Sequence, residues 1–167
     1  MRLSTITLIG MPGAGKSSVG VLLAKQVGLN FVDSDLLIQV RESATLQQIL
    51  NQAGHQRLRQ LEQDVLLDMP LDQSLIATGG SAVYSDSGMQ RLHAAGPVVY
   101  ISVELETLQQ RVDNENERGI AKSPGQSFAD VYAERLPLYQ QHADLVIDGG
   151  GQSAEATARL IALELGY

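Results

Sequence analysis

One stretch near the start of the chain has the residue types and spacing of an anion-binding device. Gly10-Met11-Pro12-Gly13-Ala14-Gly15-Lys16-Ser17 matches G-x-x-x-x-G-K-[ST], the phosphate-binding loop. Its glycines let the backbone turn where a Cβ would clash, so that successive N–H groups point inward at phosphate oxygens. Lys16 is placed to reach the β- and γ-phosphates, and the Ser17 hydroxyl to ligate Mg²⁺. A helix starting at this point adds the partial positive charge of its N-terminus. Gly13, Ala14, Gly15, Lys16, Ser17 and Ser18 are therefore the candidate nucleotide-binding residues.

Asp33-Ser34-Asp35 is the next candidate. An acidic pair at the carboxyl end of a strand, beside a phosphate loop, suits two tasks. One carboxylate orients Mg²⁺, usually through water; the other accepts a hydrogen bond from an acceptor hydroxyl and serves as base or aligner. The competing reading is a helix cap, since Asp before Leu36-Leu37-Ile38 is also a good N-cap. The strand at 74–78 ends without an acid, which raises the importance of Asp33. His55, His93 and His142 have no metal-site spacing and read as surface or packing residues.

These residues need strands and helices to hold them, and the pattern alternates between the two. Thr5 to Ile9 is a β-branched run before the loop, and Val19, Leu22, Leu23 and Val27 recur at helical spacing after it. Strands are expected at 4–10, 30–33, 74–78, 97–103 and 145–147. Helices are expected at 16–28, 35–42, 45–53, 55–68, 85–95, 104–113, 127–141 and 153–165, with Thr45 as a cap. Residues 113–126 are polar and aperiodic, and read as a mobile surface loop. Such alternation implies a mainly parallel sheet covered on both faces. Ligands in such sheets sit at the strands' carboxyl ends. The first three strands end at Gly10, Asp33 and Gly79-Gly80, so they point at one crevice.

Composition sets the outer limits. A chain of 167 residues, 44% apolar, is expected to form one domain. It has no cysteine, hence no disulfide, thiolate metal site or Cys nucleophile. No apolar run reaches the roughly 18 residues of a membrane span, and Met1-Arg2-Leu3 leads straight into the first strand without a cleavable signal. A cytoplasmic protein with no membrane association is expected. The net charge of −7 argues against nucleic acid as a partner but not against a nucleotide.

Further motifs then carry a resemblance. Gly54 to Glu62 reads G-x-x-x-[FL]-R-x-x-E, Ala77 to Gly80 reads A-T-G-G, and Glu134 to Tyr139 reads E-R-x-P-L-Y. With the phosphate loop and D-S-D, this order resembles the shikimate kinases over essentially the whole chain. The resemblance implies a three-layer α/β P-loop sandwich of the nucleoside-monophosphate-kinase-like kind, with a five-stranded parallel sheet of order 2-3-1-4-5. It implies one kinase domain over residues 1–167, acceptor-binding helices at about 33–62 and a lid loop at about 113–126. ATP and Mg²⁺ are the implied cofactors, a small hydroxylated carboxylic acid the acceptor, and a monomer the expected state. Carried over by position, Lys16 and Ser17 bind phosphates and Mg²⁺, Asp33 holds Mg²⁺ through water, and Asp35 binds acceptor hydroxyls and is the candidate base. Arg59 and Arg135 grip the acceptor carboxylate, which suits the guanidinium fork. Gly79 and Gly80 present N–H groups to the acceptor, with Ser81 beside them. Arg111 resembles the arginine that stacks on adenine, and Arg118 the lid arginine that offsets transition-state charge. Lys16, Asp35 and Arg118 are thus the catalytic candidates. From spacing alone, Arg59 also fits a solvated helix face pairing with Glu62 at i,i+3.

The departures from the family pattern gather on the acceptor side. Ser81 replaces a third glycine, His55 an acid and Leu58 a phenylalanine. The lid reads Arg118-Gly119-Ile120-Ala121-Lys122, with Gly119 in place of a proline, implying a more flexible lid. Leu136 stands where asparagine is usual, and Gly149-Gly150-Gly151 replaces an adenine-loop proline. Shikimate leads as acceptor, giving shikimate 3-phosphate. Two other readings stay open: a gluconate- or homoserine-type kinase, and a non-catalytic ATP-binding module.

Overall fold

The computed structural model describes residues 5–113 and 119–167. Five strands alternate with helices. They are β1 (Thr5–Ile9), β2 (Asn30–Asp33), β3 (Ser74–Ala77), β4 (Val98–Ser102) and β5 (Leu145–Asp148). All neighbours are parallel, and the order is β2-β3-β1-β4-β5, as the resemblance implied. The central strand β1 is buried throughout, with Ile6 opposite Leu75 and Leu8 opposite both Ala77 and Val99. The edge strands β2 and β5 are only partly covered. With both faces of the centre covered, Thr5 and Thr7 of β1 are as fully buried as Ile6, Leu8 and Ile9.

The helices are α1 (Lys16–Val27), α2 (Ser34–Glu42), α3 (Leu46–Asp68), α4 (Asp86–Ala95), α5 (Leu105–Asp113), α6 (Phe128–His142) and α7 (Ala154–Glu164). They cover both faces of the sheet, α1 packing on α7 and α3 on α4. The two helices expected at 45–53 and 55–68 are one run broken at Gly54, whose backbone (φ 81, ψ 172) is not helical. Thr45 caps this run, its Oγ1 accepting from the Gln48 N–H while Gln48 Oε1 accepts from the Thr45 N–H. The bend matters for the site. Beyond Gly54, Leu58, Leu61, Val65 and Leu66 pack into the core, which fixes Arg59 and Glu62 between them. A 3-10 turn, Ala82–Tyr84, follows β3 and closes the same end of the sheet. Among the described residues, no helix is long and apolar enough to cross a membrane.

Candidate active site

The strand ends converge as the alternation predicted. A cavity of about 830 Å³ lies over the carboxyl ends of β1, β2 and β3. The loop from Pro12 to Ser18 lines it, as do Asp35, Glu62, Gly79, Gly80, Ser81, Arg111 and Arg135.

At the loop, Gly13 and Gly15 hold positive φ (85° and 92°), the left-handed turns that aim consecutive N–H groups at one centre. Lys16 is 8% exposed, and its Nζ donates to the carbonyls of Gly10 at 2.7 Å and Met11 at 2.8 Å. The ammonium is thus folded back under the loop. Ser17 and Ser18 are exposed at the mouth. Arg111 donates to the carbonyls of Gly13 at 3.0 Å and Gly149 at 3.3 Å, tying the loop to the glycine turn after β5.

Asp33 caps α2 and also reaches the phosphate loop. Its Oδ1 caps α2, accepting from the N–H groups of Asp35 at 3.0 Å and Leu36 at 3.2 Å. Its Oδ2 accepts from Ser17 Oγ at 2.7 Å. A hydroxyl and a carboxylate oxygen therefore meet at the cavity mouth.

On the far side, Arg135 is 1% exposed and donates to the Ala121 carbonyl at 2.8 Å. Arg59 donates to the same carbonyl at 3.4 Å. Its guanidinium lies 3.9 Å above the Tyr84 ring, a cation–π contact, and that of Arg135 lies 5.5 Å from it. The Nε atoms of both arginines are buried without a hydrogen-bond partner. Arg59 is therefore not a solvated face residue: its ionic neighbour is Glu134, at 3.9 Å, and not Glu62.

One expectation is corrected. The Gly79 N–H, expected to serve the acceptor, is taken by Ser34 Oγ at 3.0 Å. The glycine is needed for a different reason. A Cβ there would stand 2.2 Å from Glu62 Oε1 and 2.5 Å from Asp35 Oδ1. Gly79 is the gap through which two carboxylates approach each other. Beside it, the Gly80 carbonyl accepts from the Tyr139 hydroxyl at 2.6 Å. The expectation for Arg118 lies outside the described residues.

The structure adds a residue that sequence reasoning passed over. Glu62 is 3% exposed, accepts a hydrogen bond from Ser81 Oγ on Oε2, and has no hydrogen-bond partner on Oε1. Burial, then the negative charge of Asp35, push its pKa up from 4.5 to about 7, against the Ser81 hydrogen bond and the charges of Arg135 and Lys16. The signal in the sequence was its place at the end of the Gly54–Glu62 motif; as a lone acid on a helix it looked like a surface partner for Arg59. Gly119 also has a new role. A Cβ on it would lie 2.4 Å from Leu46 Cβ, so close packing of this segment on the start of α3 requires the glycine.

Comparison with known proteins agrees with this geometry. A family model described as shikimate kinase matches residues 12–165. The chain is 35% identical to a shikimate kinase of Vibrio vulnificus, covering 93% of this chain and 92% of that protein. It is 37% identical to one of Pseudomonas aeruginosa, covering 96% and 92%. Among solved structures, a shikimate kinase from Acinetobacter baumannii in complex with shikimate superposes with a TM-score of 0.88 at 31% identity, over 98% of this chain and 93% of that one. Phosphate loop, carboxylates and the buried Arg135 in one cavity, together with these matches, place the chain in the shikimate kinase family of ATP-dependent phosphotransferases acting on a hydroxyl group.

Proposed function

We propose that this chain transfers the γ-phosphoryl group of ATP to shikimate, giving shikimate 3-phosphate, with Mg²⁺ as the metal. One observation carries the reading: the phosphate loop, the Asp35–Glu62 carboxylates and the buried guanidinium of Arg135 line a single cavity. A carboxylic acid bearing hydroxyls is the acceptor chemistry those groups complement.

The mouth of the site fits a hard divalent cation. Ser17 Oγ and Asp33 Oδ2, 2.7 Å apart, are oxygen donors of the kind magnesium takes. When bound, Mg²⁺ supplies positive charge to the phosphate oxygens.

The chain's own residues do the positioning on which this reaction depends. The Lys16 ammonium, now held by two loop carbonyls, exchanges them for phosphate oxygens. Arg59 and Arg135 already share one carbonyl oxygen, that of Ala121, and offer the same donors to the acceptor carboxylate. Asp35 aligns the attacking hydroxyl and takes its proton. The acceptor oxygen bonds to the γ-phosphorus as the bond to the ADP oxygen breaks. Arg111, bound to the loop and to the Gly149 turn, sits at the nucleoside end. Arg118 is assigned the lid role by the family resemblance. On this reading the whole chain is one kinase domain and acts as a cytoplasmic monomer, residues 33–62 contributing to the acceptor site and 113–126 forming the lid.

A coupled ADP-release assay over shikimate, gluconate and homoserine tests the acceptor. ADP release that depends on shikimate alone is expected. Turnover with another acid and none with shikimate sinks the assignment, and nucleotide binding without acceptor-dependent turnover on any of them favours the non-catalytic module.

A further inference from the structure

Two cations converge on one oxygen beside the acceptor pocket. Arg59 and Arg135 both donate to the Ala121 carbonyl, at 3.4 Å and 2.8 Å. Like charges this close repel, and burial strengthens the repulsion. Arg135 is 1% exposed, and Arg59 keeps 28% of its side-chain area. The carboxylate nearest Arg59, that of Glu134, is 3.9 Å away with 46% of its side chain exposed, so solvent screens the pair. That carboxylate is also engaged elsewhere, accepting from the Tyr84 hydroxyl and from Gln126 Nε2.

The surface that both guanidiniums share is the Tyr84 ring. The Cζ of Arg59 lies 3.9 Å from its centroid and that of Arg135 lies 5.5 Å from it. The ring is held at both ends. Its backbone N–H donates to the Ser81 carbonyl at 3.1 Å in the 3-10 turn, and its hydroxyl donates to Glu134 Oε1 on α6. The next residue, Ser85, is buried and caps α4. Burial and the hydrogen bond to Glu134 push the phenol's pKa up, so Tyr84 is uncharged at neutral pH and meets the arginines through its electron-rich face. Such a contact attracts a cation through the ring quadrupole. It takes up none of the guanidinium N–H donors, which lie in the guanidinium plane.

We propose that Tyr84 is a positioning residue whose ring face holds Arg59, and at longer range Arg135, at the acceptor pocket while leaving their N–H donors for the acceptor carboxylate. The two arginines must exchange the Ala121 carbonyl for the acceptor, and during that exchange the ring is the contact that does not change. The inference rests on the acceptor being a carboxylic acid.

The test compares Tyr84→Phe, which keeps the face and loses the hydroxyl, with Tyr84→Leu, which fills similar space without a π-face; Tyr84→Met is a second non-aromatic variant in case Leu does not fold. Tyr84→Leu and Tyr84→Met are expected to raise the acceptor KM about tenfold, with ATP KM and kcat within about twofold of the unmutated chain. Tyr84→Phe is expected to restore the acceptor KM to within about threefold. An acceptor KM unmoved in the non-aromatic variants, or raised as much by Phe as by Leu, overturns the proposal. A second readout needs no acceptor. The Arg59 Nε is buried without a hydrogen-bond partner, so the NMR shift of its proton reports the ring above all. In the unliganded protein that proton is expected to be shielded by the ring current in the parent and in Tyr84→Phe, and to lose the shielding in Tyr84→Leu. The same shift in all three proteins overturns the proposal. Failure of the shikimate reading shows separately, as absent turnover in the unmutated chain.

Discussion

At the scale of single residues, the site is a problem in arranging charge. Two carboxylates, Asp35 and Glu62, meet at Gly79, and two guanidiniums meet at the Ala121 carbonyl. Arg59→Ala is expected to raise the acceptor KM at least about tenfold, the size of a lost charged hydrogen bond, with ATP KM unchanged. Arg135→Ala is expected to do the same and also to lower Tm, because it empties a fully buried position against Tyr84 and Tyr139. Equal loss of ATP and acceptor affinity would refute the carboxylate assignment. Glu62 gives a second test, in stability. Its pKa is raised from 4.5 to about 7 by burial and by Asp35, so the folded state holds a proton that the unfolded state has lost. Its contribution to stability is therefore full below about 4.5 and disappears as pH rises through about 7. Glu62→Gln removes this dependence. Thermal unfolding of the variant and the parent should diverge between pH 5 and 8 in the variant's favour, by on the order of a few kcal/mol. A constant difference across that range would contradict the raised pKa.

At the scale of elements, the legible part of the sequence was the part written locally. The loop, the Asp33 cap, the Thr45 cap and the break at Gly54 each announce themselves through residues a few positions apart, and each is found where expected. What stayed hidden depends on elements that meet only in three dimensions. The Gly79 N–H is taken by Ser34 from another strand end, Glu62 is buried by the turn carrying Ser81, and Arg59 is drawn away from its helix neighbour by Tyr84 and Ala121. No spacing rule along one helix contains those facts. Gly119 is a similar case: the sequence offered flexibility, while the packing shows close approach to Leu46 and Gln47. Gly119→Ala should push residues 119–121 off α3 and loosen the carbonyl that both arginines share. A higher acceptor KM and a faster acceptor-free ATP hydrolysis are expected, since the segment would exclude water less well. Unchanged values of both would show that the close packing has no role in turnover.

At the scale of the whole molecule, the parallel sheet is what brings distant motifs together. Strands β1, β2 and β3 end side by side, so the loop after Ile9, the acids after Val32 and the glycines after Ala77 face one another although they are far apart in sequence. Sheet order could be expected from the resemblance alone, and the same arrangement puts the crevice at the strands' carboxyl ends. The overall charge of −7 did not prevent an anion-binding site, because the few cations that matter, Lys16, Arg59, Arg111 and Arg135, are concentrated around that crevice. The account stands or falls on where the phosphoryl group goes. Phosphorus NMR of the purified chain with ATP, Mg²⁺ and shikimate measures this directly. The account predicts a new phosphomonoester signal of shikimate growing in step with ADP; ADP that appears with inorganic phosphate alone, or no ester at all, would contradict it.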